Sequence, residues 1–82
     1  MVKVKNPDGS KKEFKLSEVI VTCELAGSTP YQAACVAREL GEYIKDKVEI
    51  DSEEVSHVVS EVLRETNEAA AKAYYERATS ED

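Results

Sequence analysis

The sequence of 82 residues contains no tryptophan, one phenylalanine, one histidine and only two cysteines. Cys23 and Cys35 lack the paired CxxC spacing of a structural zinc site, and their neighbours along the chain are apolar. We expect both thiols to be buried as small hydrophobic side chains, since disulfides are rare in the cytosol. His57 has no second histidine at the HxxxH or HExxH spacing. These shortages argue against a metal centre and against a disulfide-stabilised fold.

Long apolar runs are missing as well. No segment approaches the roughly 18–20 apolar residues that a membrane-spanning helix needs. Residues 2–5 alternate between valine and lysine, which differs from the pattern of a secretory signal. Hydrophobic residues make up 41% of the chain and charged residues 34%, a balance typical of globular proteins rather than disordered ones. We therefore expect a single cytoplasmic domain over residues 1–82, without membrane contact.

Charge is distributed unevenly along the chain. The formal net charge of −6 argues against direct binding of nucleic acid, which depends largely on neutralising phosphates. Residues 1–15 nevertheless carry five lysines against two acidic residues, so this segment is basic and the remainder is strongly acidic. A basic segment on an acidic body is a candidate phosphate-facing surface. The alternative is that the lysines protect exposed strand edges from pairing with other chains.

Two short strands joined by a turn are predicted at the N-terminus. Val2 and Val4 alternate with lysines, and Asn6-Pro7-Asp8-Gly9-Ser10 is a typical turn sequence. The pattern predicts a β-hairpin with strands near residues 2–6 and 10–14. The alternating segment Lys47–Ile50 predicts a third short strand. Because so small a sheet is unstable alone, we expect it to pack against the rest of the chain.

The segment over residues 18–27 carries conflicting signals. Four β-branched residues in its centre favour a strand. Ser17 as an N-cap, Glu18 in the first turn and Gly27 at the end favour a helix. The local pattern on balance predicts the first helix here.

The second helix has a clearer beginning. Thr29, Pro30 and Gln32 together form the pattern of a capping box with proline at the first helical position. An apolar face then follows at helical spacing. Gly41 inside this helix disfavours it by up to about 1 kcal/mol relative to alanine. We expect Gly41 to mark a close approach of another helix.

Two further helices complete the chain. Asp51 is the expected cap of the third helix, whose apolar stripe consists of Val55, Val58, Val59, Val62 and Leu63. The fourth helix is rich in alanine and begins at Thr66 or Asn67. Because strands and helices do not strictly alternate, the fold class is α+β. The simplest arrangement is a four-helix bundle capped by a small three-stranded sheet, formed by the hairpin and the one short strand.

No set of residues combines a nucleophile with a base, so we expect no enzymatic activity. His57 lies off the apolar stripe of the third helix, which predicts an exposed histidine. The acidic run from Asp51 to Glu54 is typical of a helix start rather than of acid–base chemistry. The GxxxxGK[ST] and GxGxxG phosphate loops are also absent.

The order of elements and several motifs resemble the ATP-cone domain, the nucleotide-sensing module of ribonucleotide reductases and of their transcriptional repressor. The resemblance covers residues 2–77 and supports a helix over residues 18–27. The segments that carry it are Val4-Lys5-Asn6-Pro7-Asp8-Gly9, Glu13-Phe14, Ala26-Gly27, Ala33-Ala34-Cys35-Val36-Ala37, Ile50-Asp51-Ser52-Glu53-Glu54-Val55, Val58-Val59-Ser60-Glu61-Val62-Leu63 and Ala71-Lys72-Ala73-Tyr74-Tyr75-Glu76-Arg77.

The resemblance implies a regulatory module that binds ATP or dATP in a pocket between the hairpin and the helices. It leaves open whether Mg²⁺ binds together with the nucleotide. The lysines would pair with phosphates, the valines would pack on the base and the polar residues would donate hydrogen bonds. It also implies a protein partner, separate or attached, whose state the nucleotide controls. The resemblance does not decide whether the domain forms a homo-oligomer. The expected lining residues are Val4, Lys5, Lys12, Lys15, Val19, Ser52, Ser56 and His57.

Four residues depart from the family pattern where phosphates would bind. Asn6-Pro7 replaces a Lys-Arg pair, Glu18 replaces a basic residue, and Lys15 replaces an acidic one. Glu18 would repel a phosphate, which motivates an alternative hypothesis. In that alternative the chain is a degenerate ATP-cone that has lost its nucleotide and serves as a protein-interaction domain.

Overall fold

The computed structural model describes residues 2–79, which form four helices and a three-stranded sheet, so the predicted α+β class is confirmed at this level. The sequence pattern also gave the correct order of elements. The strands are β1 (Lys3–Lys5), β2 (Lys11–Glu13) and β3 (Glu49–Asp51). The helices are α1 (Leu16–Leu25), α2 (Pro30–Ile44), α3 (Ser52–Arg64) and α4 (Glu68–Thr79).

The sheet is mixed, with the strand order β2-β1-β3. β1 runs antiparallel to β2, with Val4 opposite Lys12, and parallel to β3, with Val4 opposite Ile50. Side chains alternate between the two faces of a strand, so these three residues share the face that looks towards the helices. Val4 and Ile50 are buried there, whereas Lys3 and Lys5 are exposed. β3 begins two residues later and ends one residue later than the predicted strand Lys47–Ile50.

α1 is a helix despite its run of β-branched residues, but the prediction of Ser17 as its N-cap is wrong. Lys15 occupies the cap position in an extended conformation (φ −126°, ψ 112°), and no side chain caps the helix. Ser17 lies within the first turn. The short connection from β2 explains the early start, because Phe14 and Lys15 alone separate the strand from Leu16. The helix ends at Leu25, and the predicted terminal glycine, Gly27, follows the cap residue Ala26 with a φ of 109°.

The other helix starts follow the sequence signals closely. The amide of Gln32 donates to Thr29 Oγ1 at 3.1 Å and the amide of Thr29 donates to Gln32 Oε1 at 3.0 Å, which confirms the capping box of α2. Asp51 occupies the cap position of α3, and its amide donates to Glu54 Oε1 at 3.4 Å. Asn67 Oδ1 accepts from the amide of Ala70 at 3.0 Å and thereby caps α4.

The core lies where the four helices meet under the sheet. α3 packs against α4 and α2, while α1 packs against α2 and α4. The largest fully buried side chains are Cys23, Val36, Leu40, Val59 and Leu63. Val55, Val59 and Leu63 are the buried part of the predicted α3 stripe, and Val58 and Val62 lie half-buried beside them. No helix within residues 2–79 is long and apolar enough to span a membrane.

The two cysteines differ in environment. Cys23 is fully buried, as predicted, and burial raises the pKa of its thiol to about 11. Cys35 is only half-buried, so the prediction of burial is wrong for this residue. It lies on α2 between the buried face and solvent. Both thiols are free.

Candidate functional site

A cleft of about 200 Å³ lies beneath the β-hairpin. The elements around it are the hairpin itself, α1, α3 and α4. Its apolar lining comes from Val4, Phe14, Val19, Val55 and Tyr74, together with Ala78 at the end of α4. Its polar lining consists of Asn6, Lys12, Glu13, Lys15, Glu18, Thr22, Ser52 and Ser56. The combination of an apolar interior with convergent polar groups is typical of a small-molecule site. We refer to it as the hairpin cleft.

Six of the eight residues predicted to line a pocket meet in the hairpin cleft. They are Val4, Lys12, Lys15, Val19, Ser52 and Ser56. Strand pairing explains the first two, because Val4 and Lys12 are directly opposite and so share one face of the sheet. Helical spacing explains the last two, because Ser52 and Ser56 are four residues apart on α3.

Lys5 and His57 lie elsewhere. Lys5 follows Val4 in β1, so its side chain lies on the opposite face, and it lines a neighbouring groove with Asp51 and Glu53. His57 follows Ser56 on α3, which turns it by about 100° around the helix axis. It is exposed, as predicted, and lines a separate groove between α3 and α4.

Sequence reasoning missed eight residues of the cleft, of which four are apolar. Phe14 could have been found, because it is the one large apolar side chain in the second strand segment of a basic hairpin. Tyr74 is a helix residue distant in sequence, and only the packing of α4 brings it beneath the hairpin. Burial, followed by the neighbouring Cys23, raises the pKa of Tyr74 to about 12. Its phenol therefore stays protonated at neutral pH, when it can still donate a hydrogen bond.

The charges at the rim of the cleft are balanced. Lys12 Nζ lies 3.9 Å from Glu18 Oε1, and both side chains are more than half exposed. Glu18 was expected to repel a phosphate, but in the structure it is the partner of Lys12. Lys15 and Glu13 add one charge of each sign. A ligand phosphate would have to compete with Glu18 for Lys12.

Two helices begin at the cleft. α1 starts directly after Lys15, which provides no side-chain cap. The amide of Glu18 donates to the carbonyl of Lys15 at 3.1 Å, and the N–H groups before it in the first turn can donate to an external acceptor. α3 starts with Ser52, but the N-terminus of this helix is already capped by the Asp51–Glu54 pair. The hydroxyl of Ser56 donates to the carbonyl of Ser52 at 3.2 Å, which leaves the Ser56 oxygen able to accept a further hydrogen bond.

No metal site is present in the part of the chain that the structure describes: no three His, Cys, Asp or Glu side chains come together there.

Comparison with known proteins adds no relative: the protein-family models, the curated proteins and the solved structures each gave no match to this chain.

Proposed function

We propose that this chain is an ATP-cone-like, non-catalytic regulatory module that binds ATP or dATP in the hairpin cleft. The observation that carries the proposal is the lining of the cleft, where Val4 and Val19 lie beside Lys12 and Lys15. Apolar side chains suit the faces of a purine base, and ammonium groups suit phosphates. The cleft offers both kinds of contact within one site.

The size of the cleft restricts how the nucleotide binds. Its volume of about 200 Å³ is below the roughly 300–1,000 Å³ typical of pockets that enclose a ligand. We therefore assign the base to the interior, against Val4, Val19 and Phe14. The phosphates lie outside, at the rim formed by Lys12 and Lys15.

Binding in this mode requires the ion pair between Lys12 and Glu18 to open. The free-energy cost of opening the pair is small, because a surface ion pair of this kind contributes only about 0–1 kcal/mol. The exposed first turn of α1 adds favourable partial positive charge near Lys15. Opening of the pair frees Lys12 for a phosphate, and the start of α1 adds to the attraction.

Regulation follows from the number of elements that share the cleft. The hairpin, α1, α3 and α4 all contribute lining residues, so an occupied cleft changes how they pack. A ligand that favours one packing shifts the domain towards it and changes the affinity for a partner protein, separate or attached.

The test of the proposal is calorimetric titration of ATP and dATP, with and without Mg²⁺, into the wild-type chain and two lysine variants. Lys15→Ala should weaken binding about tenfold, the effect of losing one charge-assisted contact. Lys45→Ala is the matched control, because Lys45 lies at the end of α2 outside the cleft and pairs with Glu42. Equal affinities in the two variants would refute the assignment of the phosphates to the rim.

A second function has its own supporting observation. Val21 and Leu25 lie one turn apart on α1 and are 54% and 64% exposed. An apolar helix face of this kind suits a degenerate cone that binds a protein and no nucleotide. The same titration separates the two functions, because this alternative predicts no heat of binding with millimolar ATP.

A further inference from the structure

A groove of about 650 Å³ lies between α3 and α4. It shares no lining residue with the hairpin cleft. Its volume falls within the range of roughly 300–1,000 Å³ typical of small-molecule sites. The proposed nucleotide function therefore leaves this groove without a role. We call it the α3–α4 groove.

The floor of the groove contains an unsatisfied polar atom. Ser60 and Ala71 are the buried lining residues, at 6% and 4% exposure. Ser60 Oγ has no hydrogen-bond partner among the described residues, although a serine inside a helix commonly bonds to a carbonyl one turn earlier. Buried hydroxyls are paired in most proteins, so this one needs an explanation. The atom is covered in the structure, so contact with a ligand requires the hydroxyl to rotate about χ1 towards the groove.

Two cationic side chains flank Ser60. Arg64 is one turn further along α3, and Lys72 follows Ala71 on α4. Arg64 Nη1 lies 3.6 Å from Glu61 Oε2, an exposed contact that engages one end of the guanidinium and leaves other N–H donors available. Lys72 forms no ion pair within residues 2–78.

Acidic residues restrict where an anion can lie. Glu68 and Glu76 line the groove one turn on either side of Lys72 on α4. They balance the cations and keep the ends of the groove unfavourable for negative charge. The middle, between Ser60, Arg64 and Lys72, is the position where a compact anion meets donors from both helices. His57 and Tyr75 line the groove beyond it.

We propose that the α3–α4 groove is a second binding site, which takes a small oxyanion: the carboxylate or phosphate monoester of a metabolite. Arg64 supplies paired N–H donors that match two oxygens of such a group, and Lys72 supplies a point charge from the other helix. Ser60 supplies the third donor and so gains the partner that it lacks in the unliganded domain.

The test uses the ¹⁵N-labelled chain titrated separately with inorganic phosphate and with acetate, with amide shifts as the readout. Saturable shifts within residues 57–76 support the site, and the more effective anion identifies the class of head group. Arg64→Gln should weaken binding about tenfold, whereas Arg38→Gln, on α2 and outside the groove, should leave it unchanged. Shifts confined to residues 4–19, or none with either anion, would overturn the proposal while leaving the nucleotide proposal intact.

Ser60→Ala separates binding from folding. The variant removes a buried hydroxyl that has no partner, so the midpoint of thermal unfolding should stay the same or rise. Affinity for the more effective anion should nevertheless fall several-fold. Unchanged affinity in Ser60→Ala and Arg64→Gln would show that the anion does not bind where we place it.

Discussion

Lys12 Nζ and Glu18 Oε1 lie 3.9 Å apart and join the hairpin to the first helix at the rim of the cleft. The pair connects β2 to α1 across the position that we assign to the phosphates. It neutralises the lysine that a phosphate would need, and it also neutralises the carboxylate that would repel one. The affinity of the cleft for an anion therefore depends on how easily this pair opens.

Removal of the carboxylate should strengthen nucleotide binding. In Glu18→Gln, Lys12 has no competing partner and the repulsion of phosphate is gone, so affinity for ATP should rise about two- to fivefold. Calorimetric titration measures the change. Glu24→Gln, an exposed position on the same helix and outside the cleft, controls for the change in net charge. An unchanged or weaker affinity in Glu18→Gln would contradict the assigned role of the pair.

The fourth helix depends on a cap that also contacts α2. Asn67 Oδ1 accepts from the amide of Ala70 at 3.0 Å, and Asn67 Nδ2 donates to Gln32 Oε1 at 3.1 Å. Asn67 Nδ2 also donates to the Gly27 carbonyl at 3.4 Å, so Asn67→Ala removes three bonds and should lower the free energy of unfolding by about 1–2 kcal/mol. Urea denaturation provides the measurement, with the exposed neighbour Thr66→Ala as the control. Equal stability of the two variants would show that the cap is dispensable.

Gly41 provides an opportunity to stabilise the domain. It was expected to mark a close approach of another helix, but a methyl group at this position would meet no atom within 4 Å. Gly41→Ala should therefore raise the free energy of unfolding by up to about 1 kcal/mol. Gly27→Ala should instead destabilise the domain, because Gly27 has a φ of 109°. A stabilised Gly27→Ala would conflict with the αL end of α1.

Stability should decline in alkali because of the buried thiol. The pKa of Cys23 is about 11 in the folded domain, compared with an ordinary value of 9.0. The unfolded thiol therefore loses its proton first, and the stability fully present below pH 9 is lost as pH rises towards 11. The loss is on the order of 3 kcal/mol. Tyr74 adds a similar decline at higher pH, towards its pKa of about 12.

Urea denaturation over this alkaline range detects the effect. Cys23→Ala should flatten the pH dependence in the lower part of the range, while Cys35→Ala leaves Cys23 in place and should keep the wild-type slope. A slope that persists in Cys23→Ala would assign the alkaline decline to other groups.

Local signals in the sequence were enough to predict most elements. The capping box at Thr29 and the cap at Asn67 depend on residues three positions away, so they are readable from the chain itself. α1 was harder to delimit, because a helix that follows a strand closely can begin without a side-chain cap. Ser17 therefore looked like a cap, although Lys15 occupies that position.

The candidate site was only partly predictable, for geometric reasons. The alternation of β1 already separates Val4 from Lys5, and this rule alone would have removed Lys5 from the predicted lining. The placement of Lys12 beside Val4 depends on the hairpin register, and the contribution of Tyr74 depends on how α4 packs. His57 differs from Ser56 by one helical step, which is enough to move it into another groove.

The most direct test of the proposed nucleotide site is titration of ATP into the ¹⁵N-labelled chain, with the position of every shifted amide recorded. We predict saturable shifts in residues 4–6, 12–22 and 52–56 and near Tyr74, the segments that line the hairpin cleft. A well-dispersed spectrum that does not change with millimolar ATP would contradict it and show that the cleft binds no nucleotide.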